Sequence, residues 1–179
     1  MMKKSVFLPI LTIALAAALL LAASVGLNGL ATANAQAEHL KLMQTLLPGS
    51  ENFAIEPYTG EDANIRSIHK GETGFVIETA THGYADEIIV LVGVSNEGSV
   101  TGLVVKEMHE TYGLGWEALT DWQFLAQFLH TEGKAEVGVD IDAITGATVT
   151  SKAITRCVNS AVGFVTGADA DTGATSWGG

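Results

Sequence analysis

The feature that most constrains this 179-residue chain is an uncharged apolar run from Val6 to Leu27, placed just after Lys3 and Lys4. A bilayer core takes about 20 apolar residues, and this run supplies them. It therefore stands apart from any globular domain. Two readings of it stay open. Ala33 and Ala35, within ATANAQA at residues 31–37, have the spacing of a signal-peptidase site, which suits a cleaved leader. The run is longer than the roughly 7–15 residues of a signal core, which favours an uncleaved anchor, a single N-terminal transmembrane helix. On either reading Lys3 and Lys4 hold the N-terminus in the cytoplasm, and no second apolar segment returns the chain. The expected organisation is an anchor or signal with linker over 1–35, a domain over 36–166 on the extracytoplasmic side of the cytoplasmic membrane, and a flexible tail over 167–179.

The exported part is held by its core alone. Cys157 is the single cysteine, which leaves no internal disulfide and excludes a haem-attachment pair or a cysteine-ligated cluster. A net charge of −11 argues against nucleic acid as a partner, because that needs a basic footprint. His39, His69, His82, His109 and His130 form no pair at helical spacing, so no metal site is expected.

Periodicity supplies the elements. Leu40, Met43, Leu46 and Leu47 recur at helical spacing until Pro48-Gly49, which predicts a short helix over Glu38 to Leu47. Residues 50–63 are polar and contain Pro57 and Gly60, and read as a loop. Residues 74–115 are rich in β-branched side chains and predict three strands, the last two paired across the Asn96 turn. The unbroken apolar run Ile88 to Val92 predicts a strand covered on both faces. A helix is expected from Glu117 to Leu129 with Ala118, Trp122, Leu125 and Leu129 as its inner stripe and Phe124 and Phe128 flanking it. A short strand over Ala135 to Val139 follows. A final helix from about Lys152 buries Ile154, Cys157, Val158, Ala161 and Val165, with Lys152, Arg156 and Asn159 outward. The sum is an α+β domain with a largely antiparallel sheet and flanking helices.

Between the last strand and that helix lies DIDAITGATVTSKA, residues 140–153, with three threonines, a serine and a glycine. Thr148, Thr150 or Ser151 capping the helix would account for one oxygen and leave the others unexplained. A helix N-terminus, the small residues Gly146 and Ala147, and Lys152 one turn past Thr148 suit an anion such as phosphate. These residues alone do not name the anion.

Asp142-Ala143-Ile144-Thr145-Gly146-Ala147-Thr148 resembles the Asp-x-x-Ser/Thr-Gly-Ala-Thr flavinylation motif of the FMN-binding domain family. That family includes the G subunit of Rnf complexes and the C subunit of the sodium-pumping NADH:quinone reductase. HETYGLG, residues 109–115, resembles the family's Glu-Thr-Pro-Gly-Leu-Gly loop, which lies against the flavin ring. Glu110, Thr111, Gly113, Leu114 and Gly115 match it, while Tyr112 stands where proline is usual and Trp116 where a polar residue is common.

The resemblance implies FMN joined to Thr148 as a phosphoester, moved there from FAD by a dedicated flavin transferase. With a phosphoester there, Thr145, Thr150 and Ser151 are candidate hydroxyl donors to the phosphate beside Lys152, Gly146 and Ala147 allow close approach, and Asp142 is expected to bind the transferase's metal or to orient the acceptor hydroxyl. Glu110, Thr111, Gly113 and Leu114 would flank the ring. The implied activity is electron transfer within a membrane-bound, ion-translocating oxidoreductase of Rnf type, alongside other membrane subunits and without a catalytic residue set of its own. Two alternatives remain at this point: a free-standing membrane-anchored flavoprotein of an extracellular electron-transfer chain, and a membrane-tethered binding module that carries no flavin. The tail repeats the pattern in Asp169 to Thr175, which makes Thr175 a second possible acceptor, although no apolar helix follows it.

Overall fold

The computed structural model describes residues 33–107 and 120–167. The chain divides into two compact units, Met1–Lys41 and Leu42–Gly179. Residues 33–46 are helical (α1), and the second unit opens on the last turn of that helix. The apolar run Val6 to Leu27 lies outside the described residues. Among those described, no helix is long and apolar enough to cross a membrane.

The second unit is built on five strands that neighbour one another in chain order, every pair antiparallel. They are β1 (Ala54–Glu56), β2 (Ile65–Lys70), β3 (Gly74–His82), β4 (Glu87–Ser95) and β5 (Val100–Glu107). A helix of one turn, α2 (Trp122–Ala126), and a long one, α3 (Thr148–Thr166), complete it. The α+β class, the antiparallel sheet and the β4–β5 hairpin agree with the sequence reading. The turn closes with Gly98 N–H donating to Ser95 O at 2.9 Å and with Gly98 at φ +89°, a value glycine reaches without a Cβ penalty.

Strand β4 is covered on both faces because its side chains alternate between two cores. Ile88, Val90, Val92 and Val94 join Ile77, Ile154, Cys157, Val158 and Ala161 beneath α3. Leu91 joins Val76, Met43, Leu46 and Leu47 on the other side. There the end of α1 sits almost on the backbone: Thr101 Oγ1 donates to Leu46 O at 2.6 Å, and Gly93 pairs with Gly102 directly beneath. A Cβ on Gly93 would lie 2.1 Å from Leu46 O, so only glycine admits the helix at this height.

The structure corrects several local expectations. Residues 50–63 hold β1, whose three residues pair with β2; a strand that short leaves no periodicity to read. Of the helix expected over 117–129 the described residues show Thr120 as helical and then, after Asp121, the single turn α2. Asp121 Oδ1 caps it by accepting from Gln123 N–H at 2.8 Å and Phe124 N–H at 3.4 Å, and tight turns replace it after Ala126. Its inner face is rotated from the expected stripe. Trp122 is 73% exposed, whereas Phe124 and Phe128, at 2% and 0%, pack edge to face with ring centres 5.4 Å apart. Residues 135–139 form no strand; a loop folds back on Glu136 O, which accepts from Val139, Asp140 and Ile141, and leaves one isolated Val137–Ile141 bridge. Helix α3 starts at Thr148, a turn earlier than Lys152. Asn159 faces inward and is buried.

Candidate functional site

Residues 142–152 form one connected piece of structure at the start of α3. The chain enters it under a two-way clamp: Gln127 Oε1 accepts from Asp142 N–H at 2.8 Å, and Gln127 Nε2 donates to Asp142 O at 3.2 Å. Ile144 through Ala147 then make a β-turn closed by Ala147 N–H on Ile144 O at 2.9 Å. Gly146 holds φ +83° at the third position, where a turn of type II needs glycine. Ser151 fastens the turn to the helix: its Oγ accepts from Ile144 N–H at 3.3 Å and donates to Ala147 O at 2.9 Å.

No side chain caps α3. Ala147 occupies the N-cap position, and no acidic residue stands in the first turn. The expectation that Thr148, Thr150 or Ser151 is the cap therefore fails, because Thr148 is the first helical residue and the other two follow it. The start of this 19-residue helix presents amide N–H groups and the positive end of the helix dipole. That suits an anion.

The expected site residues divide by exposure. Asp142, Thr145, Gly146, Thr148 and Lys152 are exposed, Thr148 and Lys152 one helical turn apart on the same side. Ala147, Thr150 and Ser151 are buried, and the Ser151 hydroxyl is already engaged by the turn. Glu110, Thr111, Gly113 and Leu114 lie outside the described residues, as do His109, Tyr112, Trp116 and Thr175.

Topology nevertheless fixes where the chain leaves for that loop. Phe164, near the end of α3, meets Phe75 at the start of β3 with ring centres 5.5 Å apart, and Arg156 Nη1 donates to Thr81 Oγ1 at 3.4 Å near the end of β3. The helix thus runs antiparallel to β3, and Thr148 lies about 12 Å beyond Arg156 along the axis at 1.5 Å per residue. Glu107 pairs with Ile89 and ends β5 at this same end of the sheet. The exit of β5 and the start of α3 therefore share one end.

The segment leading to the motif is fixed from within. Asn159 Oδ1 accepts from Ala135 N–H and Asn159 Nδ2 donates to Ala135 O, both at 2.9 Å. Cys157 is buried on the core face as expected. Burial pushes its thiol up to about 12, which leaves it protonated and unreactive. The sequence reading leaves Gln127 unmarked and puts Asn159 on the outer face of the helix, where the structure buries it. A lone amide side chain at a helix end or on a helix flank has no spacing signal.

Comparison with known proteins follows the same region. The FMN-binding domain family matches residues 83–163, which contain β4, β5, α2 and most of α3. The G subunit of the Na(+)-translocating ferredoxin:NAD(+) oxidoreductase complex of Acetobacterium woodii is 39% identical over 100 residues, 50% of this chain and 47% of that protein. The chain thus spans about half the length of that relative. The G subunit of the ion-translocating oxidoreductase complex of Methanosarcina acetivorans is 34% identical over 147 residues, 73% of this chain and 77% of that protein. Among solved structures, NqrC of Shewanella oneidensis aligns with a TM-score of 0.44 at 20% identity, over 69% of this chain and 68% of that one.

Proposed function

This chain belongs to the FMN-binding domain family, and from that premise we propose that it is an electron-transfer subunit carrying FMN as a phosphoester on Thr148, within a membrane-bound, ion-translocating oxidoreductase of Rnf type. The observation that carries the reading is the exposed Thr148 hydroxyl, first residue of a helix that no side chain caps. The donor set fits a phosphate group: a first turn without a side-chain cap, an exposed Lys152 one turn on, and no carboxylate in the first turn.

Gly146 turns the chain so that Thr148 stands at the surface, and Ala147 keeps the approach free of bulk. Thr145 and Lys152 are the exposed donors available to phosphate oxygens. Thr150 and Ser151 support the site from below, Ser151 through its two bonds to the turn. Asp142 carries an exposed carboxylate toward the modifying enzyme. Glu110, Thr111, Gly113 and Leu114 come shortly after β5 in the sequence and, by the family resemblance, would flank the ring. FMN, when bound, accepts one or two electrons and so joins two-electron to one-electron partners. A covalent bond retains it where an exported domain would lose a weakly held cofactor by dilution.

In this proposal residues 1–35 anchor the chain in the cytoplasmic membrane as a single span, 36–166 form the FMN domain on the extracytoplasmic side, and 167–179 form a tail. The partners are the other membrane subunits of the complex and, during maturation, a flavin transferase. The test is the intact mass of the denatured full chain made in cells with a flavin transferase. Wild type gains one FMN and Thr148→Ala gains none. An FMN that survives in Thr148→Ala moves the acceptor to Thr175, and no gain in wild type overturns the covalent reading.

A further inference from the structure

We infer that Gln127 is a positioning residue for modification of Thr148, an inference that rests on the covalent reading above. Its amide bonds both backbone groups of Asp142, accepting from N–H at 2.8 Å and donating to C=O at 3.2 Å. A primary amide facing a peptide in this way imitates a pair of strand bonds and fixes position and orientation together. Residue 127 follows α2, whose Phe124 is locked in the core with Phe128, so the clamp transmits the position of a rigid element to the first residue of the motif.

The rest of the motif is fastened from the helix side. Ser151 holds Ile144, and Ala147 closes the turn and accepts from the helix. The path from the exposed Asp142 carboxylate to the exposed Thr148 hydroxyl is thus a short arch, with Gln127 pinning one foot and Ser151 the other. Removing Gln127 frees the foot that carries Asp142. The distance between carboxylate and acceptor hydroxyl is then no longer set before the modifying enzyme arrives.

The step affected is a group transfer. A bond forms between Thr148 Oγ and the FMN phosphorus of FAD, the pyrophosphate bond to the AMP half breaks, AMP leaves, and the hydroxyl proton is released. A reaction of this kind is sensitive to placement, since a displacement of about 1 Å can cost on the order of a hundredfold in rate.

The experiment follows FMN incorporation into the full chain in detergent by intact mass over time, with purified flavin transferase, saturating FAD and varied acceptor concentration. Wild type is compared with Gln127→Met, which keeps length and loses both bonds, and with Gln127→Glu, which keeps the acceptor toward Asp142 N–H and loses the donor. Gln123→Met, at an exposed position of α2, is the control. The expected result is a kcat for Gln127→Met lower by about ten- to a hundredfold, with KM within twofold, Gln127→Glu between it and wild type, and Gln123→Met unchanged. Melting temperatures measured alongside separate placement from folding. Wild-type kcat in Gln127→Met overturns the inference, and so does a loss confined to KM or one that only follows the folded fraction in both variants. If wild type itself takes up no FMN, the covalent reading falls and takes this inference with it.

Discussion

Asn159, in the middle of α3, holds Ala135 by both of its backbone groups, at 2.9 Å each, and does so out of contact with solvent. This pair is where the long helix takes hold of the segment that leads to the motif. Ala135 has no strand neighbour to satisfy its peptide groups, so the side chain takes the place of a strand.

Replacing Asn159 by Leu therefore strands a buried N–H and a buried C=O. Each unsatisfied group costs about 1–3 kcal/mol, so Asn159→Leu is expected to lower stability by roughly 2–6 kcal/mol in a urea titration. Amides of residues 135–141 should exchange hydrogen faster than those of β3 and β4 in the same variant. Uniform acceleration across the domain would mean that Asn159 contributes to general packing and not to this segment.

How much of the fold is legible in the sequence depends on whether a residue's partner is near along the chain. The three long strands and α3 are legible because each repeats its pattern over eight residues or more, and Ile88 to Val92 announces a strand buried on two sides. The start of α3 is not, because the hydroxyl residues obscure it. Thr148 and Thr150 resemble caps in sequence, yet the cap is Ala147, and inside the helix the hydroxyls of Ser151 and Thr155 are satisfied by the carbonyls of Ala147 and Ser151, four residues back. That back-bonding is what allows polar side chains to lie buried there. The exposure of Trp122 escapes the sequence for a related reason: Asp121 fixes where α2 begins and so which residues face inward. Of the candidate site, the sequence marks the motif from Asp142 to Thr148 but not the contacts that hold it, at Gln127 and Asn159, since both reach across 15 residues or more.

Gly93 should be harder to replace than its cross-strand partner Gly102. A Cβ on Gly93 would meet Leu46 O at 2.1 Å and Thr101 Oγ1 at 2.8 Å, whereas one on Gly102 meets Leu46 atoms no nearer than 3.2 Å. The first collides with backbone and with the Thr101–Leu46 hydrogen bond. Gly93→Ala is expected to cost about 1–3 kcal/mol as an overpacked core does, and Gly102→Ala distinctly less. Thermal unfolding of the two variants side by side checks the order.

Cys157 should not react with a thiol reagent until the domain unfolds. Burial is the main cause that raises its thiol from 9.0 to about 12, and the Thr79 and Arg156 contributions pull the other way without overcoming it. The folded state thus keeps a proton that the unfolded state loses first. The stabilisation is complete below the unfolded value near 9.0 and is lost as pH rises toward about 12. Across that window wild type should lose up to about tenfold in its folding equilibrium per pH unit relative to Cys157→Ala. Equal slopes for the two proteins between about pH 9 and 11, or iodoacetamide labelling of the native domain at the rate of the unfolded one, would count against this placement.

Ser151 separates two kinds of contribution to the site. A hydroxyl that faced the phosphate would leave the apo domain indifferent to its loss. Ser151 instead accepts from Ile144 N–H and donates to Ala147 O, with no solvent exposure, so its effect belongs to the fold of the domain itself. Ser151→Ala leaves the Ile144 amide without its acceptor and should lower the stability of the unmodified domain by about 1–3 kcal/mol. Thr145→Val, at an exposed position of the same turn, should leave that stability within about 0.5 kcal/mol, as surface changes usually do. Chemical unfolding of both variants, expressed without a flavin transferase, reads the difference directly. Should Ser151→Ala prove neutral there and harmful only in the flavinylated form, the hydroxyl would be assigned to the phosphate, and the turn would have to be held by Gly146 and the helix alone.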